Sequence, residues 1–205
     1  MMAPAPAPAP HWPTTSHLLY LHGFRSSPQS TKARMLAAWA GQHRPDLVWW
    51  CPQLPPSPRA AMEMVAQGIA DWPQDSMAVV GSSLGGYYAT WVAERTGCRA
   101  ALLNPAIQPA RDLQRYIGEQ TAWHDPAQSF EFLPEFMDEL RVLECGPLTR
   151  PERTWALICK GDEVLDWREM HARYAACPGL LLEGGDHAIS DFPVHLPALV
   201  AHLGL

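Results

Sequence analysis

Six short apolar runs recur along the chain: HLLYL (17–21), LVWWC (47–51), MAVVG (77–81), RAALLN (99–104), WALICK (155–160) and GLLLEG (179–184). Consecutive apolar residues over so few positions predict strands of a parallel sheet, buried on both faces and needing no polar side. Longer segments lie between and after them, at 30–43, 58–72, 84–97, 163–176 and 190–203. Met35, Leu36 and Trp39 in the first, and Met62, Val65 and Ile69 in the second, recur at helical spacing, as helices laid on a sheet require. Ser30 and Thr31 are residue types that cap a helix start. Strand and helix in alternation predict a doubly wound α/β sheet of about six mostly parallel strands, with helices on both faces and right-handed crossovers.

One interval breaks the alternation. Residues 104–153 separate the fourth and fifth runs, far more chain than a connection of about 2–6 residues and one helix uses. They carry Tyr116, Trp123, Phe130, Phe132 and Phe136. An insertion of this kind is usually functional, so a helical lid over a pocket is expected, with Tyr116 and Trp123 among the substrate-binding residues. The opening MMAPAPAPAPHWP (1–13) alternates Ala with Pro, favours extended polyproline II and offers no core face. A disordered tail is expected there, followed by a single domain over 14–205.

Composition narrows the function. Hydrophobic residues make up 47% of the 205 positions and charged residues 18%, the balance of a chain that fills a core. The net charge of −6 and the lack of a Lys/Arg cluster argue against nucleic acid as the main partner. No apolar stretch approaches the ~20 residues of a membrane span, and the N-terminus lacks the basic and apolar regions of a secretory signal. Five widely spaced cysteines with no CxxC pair suggest reduced thiols in a cytoplasmic protein.

The chemistry concentrates at GSSLGG (81–86), where the third strand meets a helix. A strand that turns sharply into a helix brings two backbones together, and glycine at Gly81 and Gly85 removes the Cβ atoms that would collide. The pattern fits G-x-S-x-G, a nucleophile elbow with Ser83 at its tip and Ser82 in the x position. A serine hydroxyl is a weak nucleophile near neutral pH and needs a base held by a carboxylate. On this architecture the chain order is Ser, acid, His, with the partners in loops at the carboxyl edge of the sheet. His187 follows the last strand and a double glycine, whereas His43, His171, His195 and His202 fall in helical patterns, His124 in the insertion, and His22 is placed to brace a loop. Asp162 follows the penultimate strand and is the expected acid; Asp166 is the alternative, and Glu163, like Asp166, enters the next helix. The backbone N–H groups of Phe24, after the first strand, and Leu84 are the expected oxyanion donors. Gly23 and Arg25 beside Phe24 are expected to meet substrate. No ligand set has metal spacing, and no cofactor is called for.

The blocks LYLHGFRSSPQSTKA, PQLPP, GSSLGGYYATW, GDEVLDW and EGGDHA, in this order from about residue 18 onward, resemble the YqiA/YcfP group of small bacterial α/β-hydrolase-fold esterases. The resemblance implies an α/β-hydrolase fold and hydrolysis of carboxylic esters, extending to acyl thioesters such as acyl-CoA. It carries a Ser-His-Asp triad onto Ser83, His187 and Asp162. Two departures stand out: Arg25 occupies a position where a smaller polar residue is expected, and the Ala-Pro tail is not a feature of the group. The partner expected is therefore a small acyl ester or thioester. Another acyl-transfer enzyme (thioesterase, peptidase or transferase) and a non-enzymatic binding module on the same scaffold remain open alternatives.

Overall fold

The computed structural model describes residues 12–122, 125, 127 and 129–205. In chain order the elements are β1 (His17–Leu21), α1 (Thr31–His43), β2 (Val48–Trp50), α2 (Pro58–Gly68), β3 (Met77–Ser82), α3 (Leu84–Thr96), β4 (Arg99–Leu103), α4 (Pro109–Asp112), β5 (Gly118–Thr121), β6 (Ser129–Phe132), α5 (Phe136–Val142), β7 (Thr154–Cys159), α6 (Trp167–Arg173), β8 (Gly179–Leu182) and α7 (Phe192–Leu203). Single 3₁₀ turns precede β5, at Gln114–Tyr116, and β7, at Pro151–Arg153.

The six apolar runs form one parallel sheet in the order β2-β1-β3-β4-β7-β8. Each central strand is apolar at successive positions because its side chains alternate between two covered faces. Leu19, Leu21, Val79, Leu102 and Ile158 pack with Met62 and Val65 of α2, Val92 of α3, and Leu140 of α5. Leu18, Tyr20, Val80, Leu103 and Leu157 face the other way, onto Leu36 of α1 and Phe192, Leu199 and Leu203 of α7. At the sheet's amino edge the Thr15 N–H donates to the Gly204 carbonyl (3.1 Å), so the segment before β1 lies against the end of α7.

The insertion carries short helices, as expected, and also an antiparallel hairpin, β5–β6, that helical spacing did not suggest. Its strands are only four residues long; β5 (GEQT) is polar, and in β6 Phe130 and Phe132 alternate with Ser129 and Glu131. Phe132 is buried against Phe24 and Phe136, and this aromatic contact fixes the hairpin on the body of the domain. Among the described residues no helix is long and apolar enough to cross a membrane.

After β1 the chain goes outward to β2, then returns past β1 to β3. Adjacent β1 and β3 therefore send their crossovers in opposite directions, and their carboxyl ends frame the crevice where open α/β sheets bind ligands.

Candidate active site

Ser83 sits at this crevice, between β3 and α3, with φ 56° and ψ −121°. A non-glycine residue holds such a conformation at a cost of about 1–3 kcal/mol, so its surroundings must impose it. They do so by close approach. A Cβ on Gly81 would fall on the Gly85 carbonyl, and one on Gly85 would fall on the Leu21 carbonyl. The Ser83 backbone is tied at both ends: its N–H donates to the Leu103 carbonyl (3.0 Å), and its carbonyl accepts from Gly86 (2.9 Å) and Ala106 (3.0 Å). Gly85→Ala is expected to destabilise the protein by about 3 kcal/mol, since backbone rather than a flexible side chain must yield. A urea titration with unchanged slope and a lower midpoint checks this.

The Ser83 hydroxyl lies 3.0 Å from His187 Nε2, and His187 Nδ1 lies 2.7 Å from Asp162 Oδ2. The tautomer with its proton on Nδ1 satisfies both contacts: Nδ1–H donates to the carboxylate, and Nε2 accepts from the hydroxyl. The Asp162 side chain is fully buried, and its other oxygen accepts from the N–H groups of Val164 and Leu165, both at 2.8 Å. The imidazole remains one-fifth exposed.

Two further residues hold the His187 loop, and neither role was visible in the sequence. Glu163 accepts from the His187 backbone N–H (3.0 Å). Asn104, fully buried at the end of β4 with φ 42°, accepts from the Cys159 N–H (2.8 Å) and donates to the carbonyls of Asp186 (3.0 Å) and His187 (3.4 Å). It thus fastens the loop after β8 to the end of β7. Asp166 instead caps α6 through the Arg168 N–H, and Asp186 accepts from Ser190. His22 braces its loop: Nδ1 contacts the Gly23 carbonyl (3.0 Å) and Nε2 accepts from the Leu54 N–H (3.1 Å), joining the LYLHGF and PQLPP blocks.

Gly23 packs on Ser83 itself; a Cβ there would stand 3.3 Å from Ser83 Cβ and 3.7 Å from its Oγ. Phe24, Arg25, Ser83, Leu84, Tyr116 and His187 line a cavity of ≈ 440 Å³, which continues over Ala106, Leu113, Val164 and Leu165. The Phe24 ring meets Tyr116 at a tilt and Phe130 edge to face, so the insertion supplies one wall. Arg25 reaches across to the hairpin, donating to the Thr121 carbonyl (2.6 Å) and hydroxyl (2.9 Å). Trp123 and His124 lie outside the described residues, as do residues 1–11 of the Ala-Pro tail.

Residues 17–204 match the model of the Uncharacterised protein family (UPF0227), which is the YqiA family. The chain belongs to this family. Members of the wider fold are similar over nearly the whole UPF0227 chain. A provisionally named hydrolase from Agrobacterium vitis S4 shares 16% identity at a TM-score of 0.72, over 93% of this chain and 91% of that one. Mouse alpha/beta hydrolase domain-containing protein 10 shares 15% at 0.68, over 93% and 91%. Est1E from Butyrivibrio proteoclasticus, in a structure with ferulic acid bound, shares 12% at 0.64, over 93% and 87%. These likenesses establish the α/β-hydrolase fold.

Proposed function

We propose that the protein hydrolyses carboxylic esters through an acyl-enzyme on Ser83, with Ser83, His187 and Asp162 as the catalytic residues. The observation that carries this reading is the unbroken hydrogen-bonded line from the Ser83 hydroxyl through His187 to a buried, doubly anchored Asp162. The esterase and lipolytic-enzyme names among the fold relatives support it.

As Ser83 Oγ bonds to the acyl carbonyl carbon, its proton passes to His187 Nε2. Asp162 keeps Nδ1 protonated and stabilises the imidazolium. The backbone N–H groups of Phe24 and Leu84 are the proposed donors to the carbonyl oxygen as it becomes an oxyanion. Leu84 opens α3, so the helix's amino end adds favourable potential at the same place. The tetrahedral intermediate collapses, the carbon–oxygen bond to the alcohol breaks, and the alkoxide leaves with the proton from Nε2. Water then gives a proton to Nε2 and its oxygen to the acyl carbon, releasing the acid and restoring Ser83. A thioester would follow the same course with a thiol leaving. The ≈ 440 Å³ cavity beside Ser83, walled by Leu113, Tyr116, Val164 and Leu165, is the proposed acyl slot, and the 104–153 insertion acts as its lid.

A fluorophosphonate probe read by intact mass tests the proposal. Wild type should gain one adduct and Ser83→Ala none; an unlabelled wild type, or a labelled variant, would overturn it. Turnover of p-nitrophenyl esters, acyl thioesters and amides compared side by side then ranks the acyl donors, and dominant amide cleavage would replace the ester reading.

Asn104 is a positioning residue in this scheme. Asn104→Ala is expected to lower kcat by about 10²-fold with KM nearly constant, because the imidazole shifts while the acyl slot stays intact. It also leaves the buried Cys159 N–H without an acceptor, costing about 1–3 kcal/mol of stability. Steady-state kinetics with a thermal melt separates the two effects.

A further inference from the structure

Ser83 stands between two cavities of unlike character. The one toward the insertion is the acyl slot. The other, of ≈ 390 Å³, extends from Ser83 and His187 toward the start of α1 and is lined by Tyr20, Ser30, Lys32 and Ser82.

Three independent features of this second cavity point to an anion. The thirteen-residue α1 begins at its wall, with no acidic residue in the first turn and no side-chain cap from Ser30, so its first N–H groups lack a side-chain acceptor. The Lys32 ammonium donates to the Ala188 carbonyl (2.5 Å) and makes no ion pair among the described residues. The carboxylates nearest in electrostatic effect, Asp186 and Asp162, are engaged by Ser190 and by His187. Burial lowers the pKa of Lys32, a penalty that an anion in the cavity would offset. Finally, Tyr20 is wholly buried and its hydroxyl has no hydrogen-bond partner. Burial holds the Tyr20 hydroxyl protonated, well above its ordinary pKa; the Ser30 and Ser82 hydroxyls oppose this only in part, and neither meets hydrogen-bond geometry. A buried donor beside a cavity needs an acceptor, and an anion in that cavity can supply one.

We propose that this cavity is an anion subsite for the leaving group, so that the preferred substrates are esters whose alcohol carries a phosphate or carboxylate a few carbons from the scissile oxygen. The spacing follows from size: Ser83 and Lys32 line the same ≈ 390 Å³ space, so the anion and the reacting carbonyl must both fit within reach of it. The acyl group passes to Ser83 in one cavity while the anionic alcohol leaves through the other. This inference rests on the esterase reading above, and the experiment separates the two.

The full chain is assayed on three butyrate esters: 1-butyrylglycerol, 1-butyrylglycerol 3-phosphate and 3-butyryloxypropanoate. Binding of glycerol 3-phosphate is measured by calorimetry on wild type, Ser83→Ala and Lys32→Gln. At least one anionic ester should exceed the neutral one by about 10-fold in kcat/KM, the worth of a charge-assisted hydrogen bond, and the better of the two identifies the anion. Lys32→Gln should cut that ratio about 10-fold, Lys32→Arg should retain most of it, and Tyr20→Phe should lower it several-fold. Glycerol 3-phosphate should bind wild type and Ser83→Ala and bind Lys32→Gln at least about 10-fold more weakly. Hydrolysis of all three esters at equal efficiency, or a ratio unmoved by Lys32→Gln, overturns the subsite and leaves the esterase reading standing. Lys32-dependent binding with no hydrolysis of any ester does the reverse.

Discussion

Ser83→Ala is expected to lower ester turnover by about 10⁶-fold while leaving the protein folded. Only the hydroxyl is removed, and Ala keeps the Cβ that already occupies the elbow. On the proposed mechanism the base and its carboxylate then have nothing to activate, so most of the line's contribution disappears with one member. Ser82→Ala is the decisive companion. Ser82 is the adjacent serine in GSSLGG, but its side chain does not join the line to His187. Its loss should cost far less than that of Ser83. Progress curves on a p-nitrophenyl ester, with background hydrolysis subtracted, give both numbers, and comparable losses at the two serines would sink the assignment.

Asp162→Asn should reduce kcat by about 10⁴-fold with little change in stability. The reasoning turns on which hydrogen bonds an amide can make. The Val164 and Leu165 N–H groups require an acceptor at one terminal atom, so the amide oxygen must stay there. The NH₂ then faces His187 Nδ1 and makes it an acceptor. The imidazole proton moves to Nε2, where it confronts the Ser83 hydroxyl and cannot receive its proton. The geometry survives while the tautomer is wrong. Asp166→Asn, which touches the α6 cap and the Arg168 side chain but not His187, serves as the contrast. A much smaller effect at Asp162 than at Asp166 would return the acid role to the alternative site.

These two residues also show what the sequence made legible. Strands were visible because burial on both faces makes them apolar at every position, and the elbow because close backbone approach admits only glycine at Gly81 and Gly85. Ser83, Asp162 and His187 follow from chain order once the elbow is placed, and the structure brings the three side chains together. The hairpin of the insertion was not legible, since four-residue strands carry too few alternations to outweigh aromatic spacing. Asn104 and Glu163 were passed over for a different reason. Their roles are contacts with backbone groups 24 to 83 residues away, and such contacts leave no local pattern. The cavity at α1 is likewise composed by strand order: Tyr20, Lys32 and Ser82 become neighbours only because β3 returns beside β1.

The hydrogen bond between Thr15 and Gly204 has a practical consequence. Strand β1 runs from that point toward Ser83, so Thr15 and Gly204 lie at the edge of the sheet remote from the crevice that holds Ser83. A carrier protein or surface linkage joined ahead of Thr15 or behind Leu205 would thus leave access to the crevice clear. Because Thr15 adjoins Gly204, a short peptide could splice a chain trimmed to Thr15 onto its C-terminus, allowing a circular permutant to be opened at the polar loop between α1 and β2 without disturbing Ser83, His187 or Asp162.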